Sequence, residues 1–512
     1  PISPLILSHS PYQALSVVSK MATGMAGVRR LPLVVILGST GTGKSKLAIE
    51  IGKRLGGEII SADSMQVYKG LDIITNKVTA EEQSQCPHHM IDFVSPLKEF
   101  SVVDFRNMAL PLIEDIKSRG KIPIVVGGTN YYIESVLWDI LIDEDRNDNS
   151  SSGEELVEPE GQGPSKKIRK RKLLESTGVS GSATKYNEAV VSPGEASKGS
   201  RRSEERPELQ FCNDAGVRGE DEHSCKTSLY DKLREVDPAM ADRIHPSDSR
   251  KVARSLQIFE QHGKPHSTII QEQQQRPGGN AYGGPQRYKD ICVFWLQCQR
   301  DILNERLDKR VSEMLNRGLI KELLNFHREY NYVLAGKNSE AKYTEGIFQS
   351  IGFKEFHNFL IKQQGKDFDE SNASVEDKSL LKTGLENMKT VTRRYAKKQM
   401  MWVRNRFLGR PVSSAPDVYG LDATNLADWN NSVLQNALEI LDRLMKDERP
   451  VIEPLPRVTI QEDRHARHVC EICENRVILG EENWKKHLQS KSHKWHMKRK
   501  DREKQLKAIK DL

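Results

Sequence analysis

The sequence predicts an α/β fold: a parallel sheet core with a phosphate-binding loop, a helical insertion domain and a C-terminal Cys2His2 zinc finger. An apolar strand runs directly into a glycine-rich phosphate loop and then into a helix. Further apolar strands alternate with helical segments along the chain, which is typical of a parallel sheet. Two cysteines and two histidines with zinc-finger spacing stand in a separate polar tail.

The first core strand is predicted at Leu31–Leu37, whose apolar run suits a strand buried on both faces of a sheet. The helix after the loop is predicted at Ser45–Leu55, because its leucine and isoleucine residues recur at helical spacing. Shorter apolar runs give the remaining strands. These lie at Glu58–Ser61, Ile122–Val126 and Ile291–Leu296.

Changes in composition divide the chain into six segments. Residues 1–30 form a flexible segment without acidic residues, which suggests either an organellar targeting peptide or a start of translation at Met21. Residues 143–225 form an insert that we expect to be disordered, and its basic cluster Lys166–Lys172 has the composition of a nuclear localisation signal. The other segments are the first part of the core (31–142), the helical insertion (226–288), the second part of the core with a basic helix (289–450), and the finger with its basic tail (457–512).

Basic charge is concentrated in two patches. The chain of 512 residues has a net charge of +7, yet Lys485 to Leu512 alone carry 11 basic and 3 acidic residues. The segment Val391 to Arg410 adds seven basic residues and no acid. Two such patches on a nearly neutral body favour binding to a polyanion.

Cysteine usage and hydropathy limit the cellular compartments in which the protein is expected. Seven cysteines, an odd and sparse number, exclude a secreted disulfide scaffold. The longest apolar run, Leu31 to Leu37, is far shorter than the roughly 20 residues that cross a bilayer. We therefore expect a cytoplasmic protein with no membrane association, and a monomer.

The phosphate loop follows the pattern G-x4-G-K-[ST]. In this pattern backbone N–H groups and the helix N-terminus hold a phosphate chain, Lys44 supplies a point charge, and the Ser45 hydroxyl can bind Mg²⁺. The residues predicted to bind the diphosphate or triphosphate are Gly38, Ser39, Thr40, Gly41, Thr42, Gly43, Lys44 and Ser45.

A kinase or NTPase is the default interpretation of this loop, but the sequence offers no clear acidic partner for Mg²⁺. The strand Ile122–Val126 is followed by Gly-Gly-Thr-Asn and not by a carboxylate. Asp63 and Asp92 are the nearest candidates. Asp63 follows the second strand, at the sheet edge where catalytic groups concentrate, although it could also cap the following turn.

Nine blocks of sequence, in order, resemble the tRNA dimethylallyltransferase (tRNA isopentenyltransferase) family. They include GSTGTGKSKLA, SADSMQVYKGLDIITNK, PHHMIDFV, IPIVVGGTNYY, ERLDKRVSEML and TRRYAKKQMMWVRNRF, and they cover most of residues 33–410 outside the insert. The finger resembles the eukaryotic branch of the family. The resemblance implies transfer of a dimethylallyl group from its diphosphate to N6 of the adenosine 3′-adjacent to the tRNA anticodon.

The resemblance also implies roles for individual residues. Asp63 would be the base that accepts the proton of the amine, and Thr40 and Lys44 would contact the diphosphate. Thr129 would lie in the same channel. An arginine of the block ERLDKR would also contact the diphosphate, and both Arg306 and Arg310 fit this role.

Contacts with tRNA are implied for three further groups. Ser64, Met65 and Gln66, together with Asp63 and Thr129, match the loop around an extruded base. Arg250, Lys251 and Arg254 match the part of the helical insertion that contacts tRNA. In the basic helix we expect cations to contact phosphates, namely Arg393, Arg394, Lys397, Lys398 and Arg404, while Met400, Met401 and Trp402 pack in the core.

The C-terminal finger is predicted to hold structural Zn²⁺. Its ligands are Cys470, Cys473, His487 and His493, and His496 is an alternative to His493. Val477 and Trp484 fall where a small finger needs apolar residues. Two thiolates and two imidazoles suit tetrahedral Zn²⁺ with no open catalytic position, so we interpret the finger as an RNA-binding module.

Two other functions use the same loop. An adenylate isopentenyltransferase shares the core and makes cytokinin from free nucleotides, and an RNA-binding kinase or NTPase would hydrolyse ATP. The helical insertion, the basic helix and the finger favour the tRNA-modifying enzyme over both.

Overall fold

The structure is a computed structural model that describes residues 31–140, 229–331, 346–363, 366–459 and 466–510. All described residues belong to one compact unit of the chain, Pro1–Glu144 together with Leu229–Leu512. The predicted targeting segment, the predicted disordered insert and its basic cluster Lys166–Lys172 lie outside the described residues.

A six-stranded parallel sheet forms the centre of this unit, in the order β3-β2-β4-β1-β5-β6. The fold class predicted from the sequence is therefore confirmed. Its strands are β1 Leu33–Gly38, β2 Gly57–Ser61, β3 His88–His89, β4 Ile122–Val126, β5 Ile291–Gln297 and β6 Val418–Asp422. The two edge strands were not predicted, because β3 has only two residues and β6 has a glycine at its centre.

Four helices follow the first strands, and all but the short second one bury residues against the sheet. They are α1 Lys44–Leu55, α2 Ala80–Gln85, α3 Val102–Ser118 and α4 Asn130–Leu137. Alternate residues of β1 belong to two separate cores, because successive side chains of a strand point to opposite faces of the sheet. Val34 and Ile36 pack with α1 on one face, whereas Leu33 and Val35 pack with α3 and α4 on the other.

The helical insertion has its own small core. A helical stretch at residues 229–236 precedes α5 Pro238–Arg243, α6 Ser249–His262 and α7 His266–Gln275. Tyr230, Leu233, Met240 and Val252 are buried together there. Helix α7 extends to Gln275, into a stretch rich in Gln, Gly and Pro.

A second helical layer contacts the loop that follows β2. It consists of α8 Arg300–Asn316, α9 Leu319–Phe326, α10 His357–Gln363 and the long helix α11 Val375–Trp402. Helix α11 begins at Val375, well before the basic segment Val391 to Arg410 that marks it in the sequence. Its first turn is fixed by a capping box, in which Ser374 and Asp377 bond to each other's backbone N–H groups.

The chain after β6 returns to the core before it reaches the finger. Helix α12 Asn436–Met445 packs beside α1, and the Leu455 N–H donates to the Val418 carbonyl at 2.7 Å. The Arg457 guanidinium donates to the carbonyls of Phe407, Ala415 and Pro416 at 2.7–3.1 Å. Arg457, predicted to open the finger segment, is thus attached to the core.

The finger consists of an antiparallel hairpin and two helices. These are β7 Arg467–Cys470, β8 Arg476–Leu479, α13 Glu481–Gln489 and α14 Lys491–Lys510. It touches the helical insertion, where His245 Nε2 lies 3.1 Å from the Val477 carbonyl oxygen. Among the described residues, no helix is both long enough and apolar enough to span a bilayer.

Candidate functional site

A cavity of about 520 Å³ opens at the carboxyl ends of β1, β2 and β4. Ligands of open α/β sheets bind at this edge. The phosphate loop, the loop after β2, the turn after β4 and helices α8 and α11 all contribute to its wall. Ten of the predicted site residues line it, namely Thr40, Gly41, Gly43, Lys44, Ser45, Asp63, Ser64, Met65, Gln66 and Arg310.

The phosphate loop turns sharply between β1 and α1. Gly41 and Gly43 have φ of +87° and +90°, in the left-handed region that side chains disfavour, and a Cβ on Gly43 would lie 2.7 Å from the Trp429 ring. Within the loop, Lys44 Nζ and Thr42 Oγ1 both donate to the Ser39 carbonyl at 2.9 Å. The loop is therefore closed on itself, with Lys44 held against it.

Lys44 is electrostatically unusual. Burial lowers its pKa to about 8, repulsion by the Arg310 guanidinium adds to this effect, and the Asp63 carboxylate opposes it. A lysine with so low a pKa gains a proton when an anion binds beside it. The cavity thus holds a cationic group whose charge depends on what occupies it.

Asp63 lies across the cavity, in the loop after β2. Its Oδ1 accepts a hydrogen bond from the Met65 N–H at 3.0 Å. Burial raises the pKa of Asp63, although the backbone N–H of Met65 and the charge of Lys44 act in the opposite direction. A carboxylate with a raised pKa is a better proton acceptor than an exposed one. Asp92, the other acidic candidate, pairs with Lys77 instead and is not part of the cavity lining.

The structure separates the two arginines that the sequence could not distinguish. Arg310 Nη1 donates to Thr40 Oγ1 at 2.8 Å and lines the cavity. Arg306 instead points towards the end of β6, where its guanidinium donates to the carbonyls of Ala423 and Thr424. Only Arg310 of this pair is within reach of an anion on the loop.

The residues predicted to surround an extruded base are fixed by hydrogen bonds to one another and to nearby backbone. Thr129 Oγ1 accepts from the Ser64 N–H at 2.9 Å and lies 3.1 Å from Ser64 Oγ, so it fixes this loop from behind the cavity lining. Gln66 Nε2 donates to the carbonyls of Thr75 and Asn76 at 3.1 Å each. The loop is rigid, and Met65 presents its side chain to the cavity.

Four residues of α11 line the cavity that the sequence analysis did not assign to it, and Gln399 and Tyr395 make its clearest polar contacts. Gln399 is 4% exposed, and its amide bonds to Thr40 in the phosphate loop and to Gly128 in the turn after β4. Tyr395, one turn earlier, directs its hydroxyl to the same Gly128 carbonyl at 3.4 Å. The sequence pattern that could have indicated them is the i, i+4 spacing of two uncharged polar residues within a basic run.

The opposite face of α11 is exposed and basic. Arg394, Lys397, Lys398 and Arg404 are exposed, whereas Arg393 is paired with Asp308 of α8 at 2.7 Å. The expectation that Met401 and Trp402 pack in the core is wrong. Met401 is 51% and Trp402 36% exposed, because both lie on the solvent side of the helix, between the buried residues Gln399 and Val403.

The predicted basic residues of the insertion lie on α6, away from the cavity lining. Arg250 and Lys251 are exposed, and Lys251 pairs with Asp248 at 2.6 Å. Arg254 is half-buried and donates to Gln257 at 2.9 Å.

The four predicted ligands of the finger converge. The ligand atoms of Cys470, Cys473, His487 and His493 all lie within 4.8 Å of one another, and all four residues are buried. His487 Nε2 is buried without a hydrogen-bond partner, as expected for a nitrogen that binds a metal. Ile478 packs beside them, together with Ile472 and the predicted Trp484. The predicted Val477 does not, because only alternate residues of β8 face inward.

Comparison with known proteins agrees with this geometry. A family model described as IPP transferase matches residues 66–176 and 181–406, and one described as isopentenyl transferase matches residues 31–92. The tRNA dimethylallyltransferase of Mus musculus is 45% identical over 94% of this chain and 89% of its own length. That of Saccharomyces cerevisiae is 31% identical over 92% and 93% of the two chains.

A solved structure extends the likeness to three dimensions. It describes a eukaryotic dimethylallyltransferase acting on tRNA, with a TM-score of 0.67 and 28% identity, over 94% of this chain and all of that one. The likeness therefore extends over nearly the whole of both chains. The chain belongs to the IPP transferase family, the family of the tRNA dimethylallyltransferases.

Proposed function

We propose that this chain transfers a dimethylallyl group from dimethylallyl diphosphate to N6 of the adenosine 3′-adjacent to the anticodon of tRNA. The observation that carries the proposal is one cavity in which a phosphate loop with Lys44 and Arg310 faces a carboxylate, Asp63. The family of the chain agrees with this chemistry, since the relatives that match nearly its whole length are named tRNA dimethylallyltransferases.

The cationic side of the cavity would hold the diphosphate. Negative charge develops on the leaving oxygen as the bond between it and the first carbon of the prenyl group breaks. Groups already oriented towards that charge stabilise the transition state. We assign this role to Lys44, to Arg310 and to the Thr40 hydroxyl that Arg310 contacts.

Asp63 would complete the reaction on the amine side. The N6 lone pair forms the new carbon–nitrogen bond, diphosphate leaves with the electrons of the old bond, and the surplus proton of N6 passes to the Asp63 carboxylate. The lining also includes an apolar stretch suited to a prenyl group. It consists of Ile74, Val311, Met314, Ile351 and Met388.

Mg²⁺ is the proposed cofactor on the phosphate loop. Ser45 is exposed on the lining beside Lys44, and a hydroxyl together with diphosphate oxygens and waters gives the all-oxygen donor set that Mg²⁺ prefers. Bound there, the ion would supply positive charge that stabilises the departing diphosphate.

The tRNA would reach the cavity through an extruded base and hold to the protein by its backbone. Ser64, Met65 and Gln66 surround the proposed base position, with Thr129 behind them. Cations on two helices are the proposed phosphate contacts. They are Arg394, Lys397 and Lys398 on α11, with the ion-paired Arg393 beside them, and Arg250, Lys251 and Arg254 on α6.

The finger is proposed to bind structural Zn²⁺ and to add RNA affinity. Its two thiols and two imidazoles, with ligand atoms within 4.8 Å of one another, fit a closed tetrahedral site. The basic helix α14 follows directly, and its cations are exposed from Lys494 to Lys504.

The deciding experiment is transfer of labelled dimethylallyl from its diphosphate, with Mg²⁺, to tRNA and separately to AMP, ADP and ATP. Label on tRNA alone is expected. Label on a free nucleotide would instead indicate an adenylate isopentenyltransferase, and ATP hydrolysis with no transfer would indicate a kinase or NTPase.

A further inference from the structure

We infer that Gln399 is a positioning residue, whose side-chain amide fixes the phosphate loop relative to the turn that borders the proposed base. This inference deepens the proposed function and rests on it for the identity of the reaction. The residue belongs to α11, the helix whose opposite face carries the exposed cations proposed to bind tRNA.

The amide joins two segments that no other described hydrogen bond of this helix brings together. Gln399 Oε1 accepts from the Thr40 N–H at 2.8 Å, and Gln399 Nε2 donates to the Gly128 carbonyl at 2.9 Å. The Asn130 side chain donates to the Gln399 main-chain carbonyl at 3.3 Å, which holds the helix turn itself. Both ends of the amide are used, and the side chain is 4% exposed.

These two contacts lie on either side of the proposed reacting atoms. Thr40 also accepts a hydrogen bond from Arg310, so its position sets where the leaving group meets that cation. Gly128 lies next to Asp63, because a Cβ on Gly128 would come within 3.2 Å of Asp63 Oδ2. Gln399 thus fixes the spacing between the diphosphate side and the base side of the cavity.

An amide suits both partners. The Thr40 N–H donates and the Gly128 carbonyl accepts, so a side chain that bonds to both must carry an acceptor and a donor. A carboxylate would place two acceptors there, one of them against the Gly128 oxygen, and would add negative charge beside the diphosphate. Glycine at 128 is part of the same arrangement, since a Cβ would lie 2.7 Å from Gln399 Nε2.

The first test is Gln399→Met, which keeps the length of the side chain and removes both hydrogen bonds. We expect kcat for prenyl transfer to fall by about 10- to 100-fold, as for other small misplacements of reacting groups, while KM for tRNA changes less than threefold. The matched control is Gln273→Met, which alters another buried glutamine, on α7 outside the cavity lining, and should leave kcat unchanged.

The second test uses pH. In Gln399→Glu the introduced carboxyl group can accept from Thr40 and donate to Gly128 only when it is protonated. The ratio of variant to wild-type kcat should therefore rise several-fold as pH falls from 8 to 6, at temperatures where both proteins are fully folded. A merely structural role would leave this ratio unchanged under those conditions.

Pyrophosphate binding separates this inference from the proposed reaction. Calorimetry should show weaker binding of pyrophosphate with Mg²⁺ to Gln399→Met, by threefold or more, whether or not the protein prenylates tRNA. Normal pyrophosphate affinity, or a kcat of Gln399→Met within twofold of wild type, would overturn the inference. Absence of transfer by the wild-type protein would count only against the proposed function.

Discussion

Lys44 needs a positive charge to bind a diphosphate, yet its surroundings disfavour the charged form of its amine. Burial and Arg310 lower its pKa to about 8, so the amine is mostly charged at pH 7 and mostly neutral at pH 9. A bound diphosphate favours the charged form. We expect pyrophosphate affinity to fall above pH 8, by up to about tenfold for each pH unit.

Calorimetric titrations between pH 7 and 9.5 would measure this effect. The variant Lys44→Met, in the same buffers, corrects for the ionisation of pyrophosphate itself. If the ratio of wild-type to variant affinity did not change with pH, Lys44 would not titrate in this range.

Asp63 gives the complementary prediction on the acidic side. The carboxylate must be ionised to accept the N6 proton, and burial raises its pKa, so kcat should fall as pH drops through that raised value. Asp63→Asn keeps an oxygen for the Met65 N–H but cannot accept the proton. It should lower kcat by at least about 100-fold.

Binding of tRNA provides the control for Asp63. Filter binding or anisotropy should give an affinity for Asp63→Asn within about threefold of wild type, and Asp63→Ala should behave alike. Loss of transfer and tRNA binding together would argue that Asp63 organises the base-binding loop and does not act as the base.

The two arginines of α8 form a matched pair for mutation. Arg310→Met removes the cation that contacts Thr40 and should reduce kcat/KM by about 100- to 1000-fold. Arg306→Met loses hydrogen bonds to two carbonyls after β6 and should cost about 1–3 kcal/mol of the free energy of unfolding, with kcat within a few-fold of wild type. Steady-state kinetics and chemical unfolding of both variants would measure these effects. A large loss of activity in Arg306→Met, with Arg310→Met unaffected, would contradict the assignment.

At the scale of elements, α11 has one face in the cavity and another in solvent. Lys397 and Lys398 are exposed, whereas Arg393 forms an ion pair with Asp308. If the two lysines contact phosphates, replacing both by alanine should reduce the slope of log K against log salt by about 1 to 2. Arg393→Ala should change that slope less, and should cost at most about 1 kcal/mol of stability.

Elements with a strong apolar pattern were predictable, and those defined by contacts were not. The strands at β1, β2, β4 and β5 follow from buried apolar runs. β3 becomes a strand only because His88 and His89 pair with β2, and nothing in two histidines specifies that. The start of α11 was missed because its first turns are polar, although Ser374 and Asp377 form a capping box there.

At the scale of the whole molecule, the parts of the site that depend on distant contacts were likewise not predictable from the sequence. Motifs pointed to the phosphate loop and to Asp63, and the structure brings both to one cavity because both follow strands whose carboxyl ends share a sheet edge. The bond from Thr40 to Gln399 spans 359 positions in the sequence. Such a contact depends on how α11 packs across the sheet, which local patterns do not encode.

The attachment of the finger gives the last prediction. Arg457 bonds to three carbonyls of the core and the Val458 N–H donates to the Leu408 carbonyl at 2.9 Å, so a chain truncated after residue 459 keeps these contacts. We expect it to keep its unfolding midpoint and its kcat at saturating tRNA. Its tRNA affinity should be weaker and less dependent on salt, because the basic helix α14 is gone.

Truncation after residue 456 provides the contrast. It removes the same finger together with Arg457, and should in addition lower the free energy of unfolding by at least about 2 kcal/mol. Equal stability of the two truncated chains would show that Arg457 does not anchor the segment. An unchanged salt slope in the longer chain would show that the finger and α14 do not contact the tRNA backbone, and would leave the exposed faces of α6 and α11 as the surfaces that bind it.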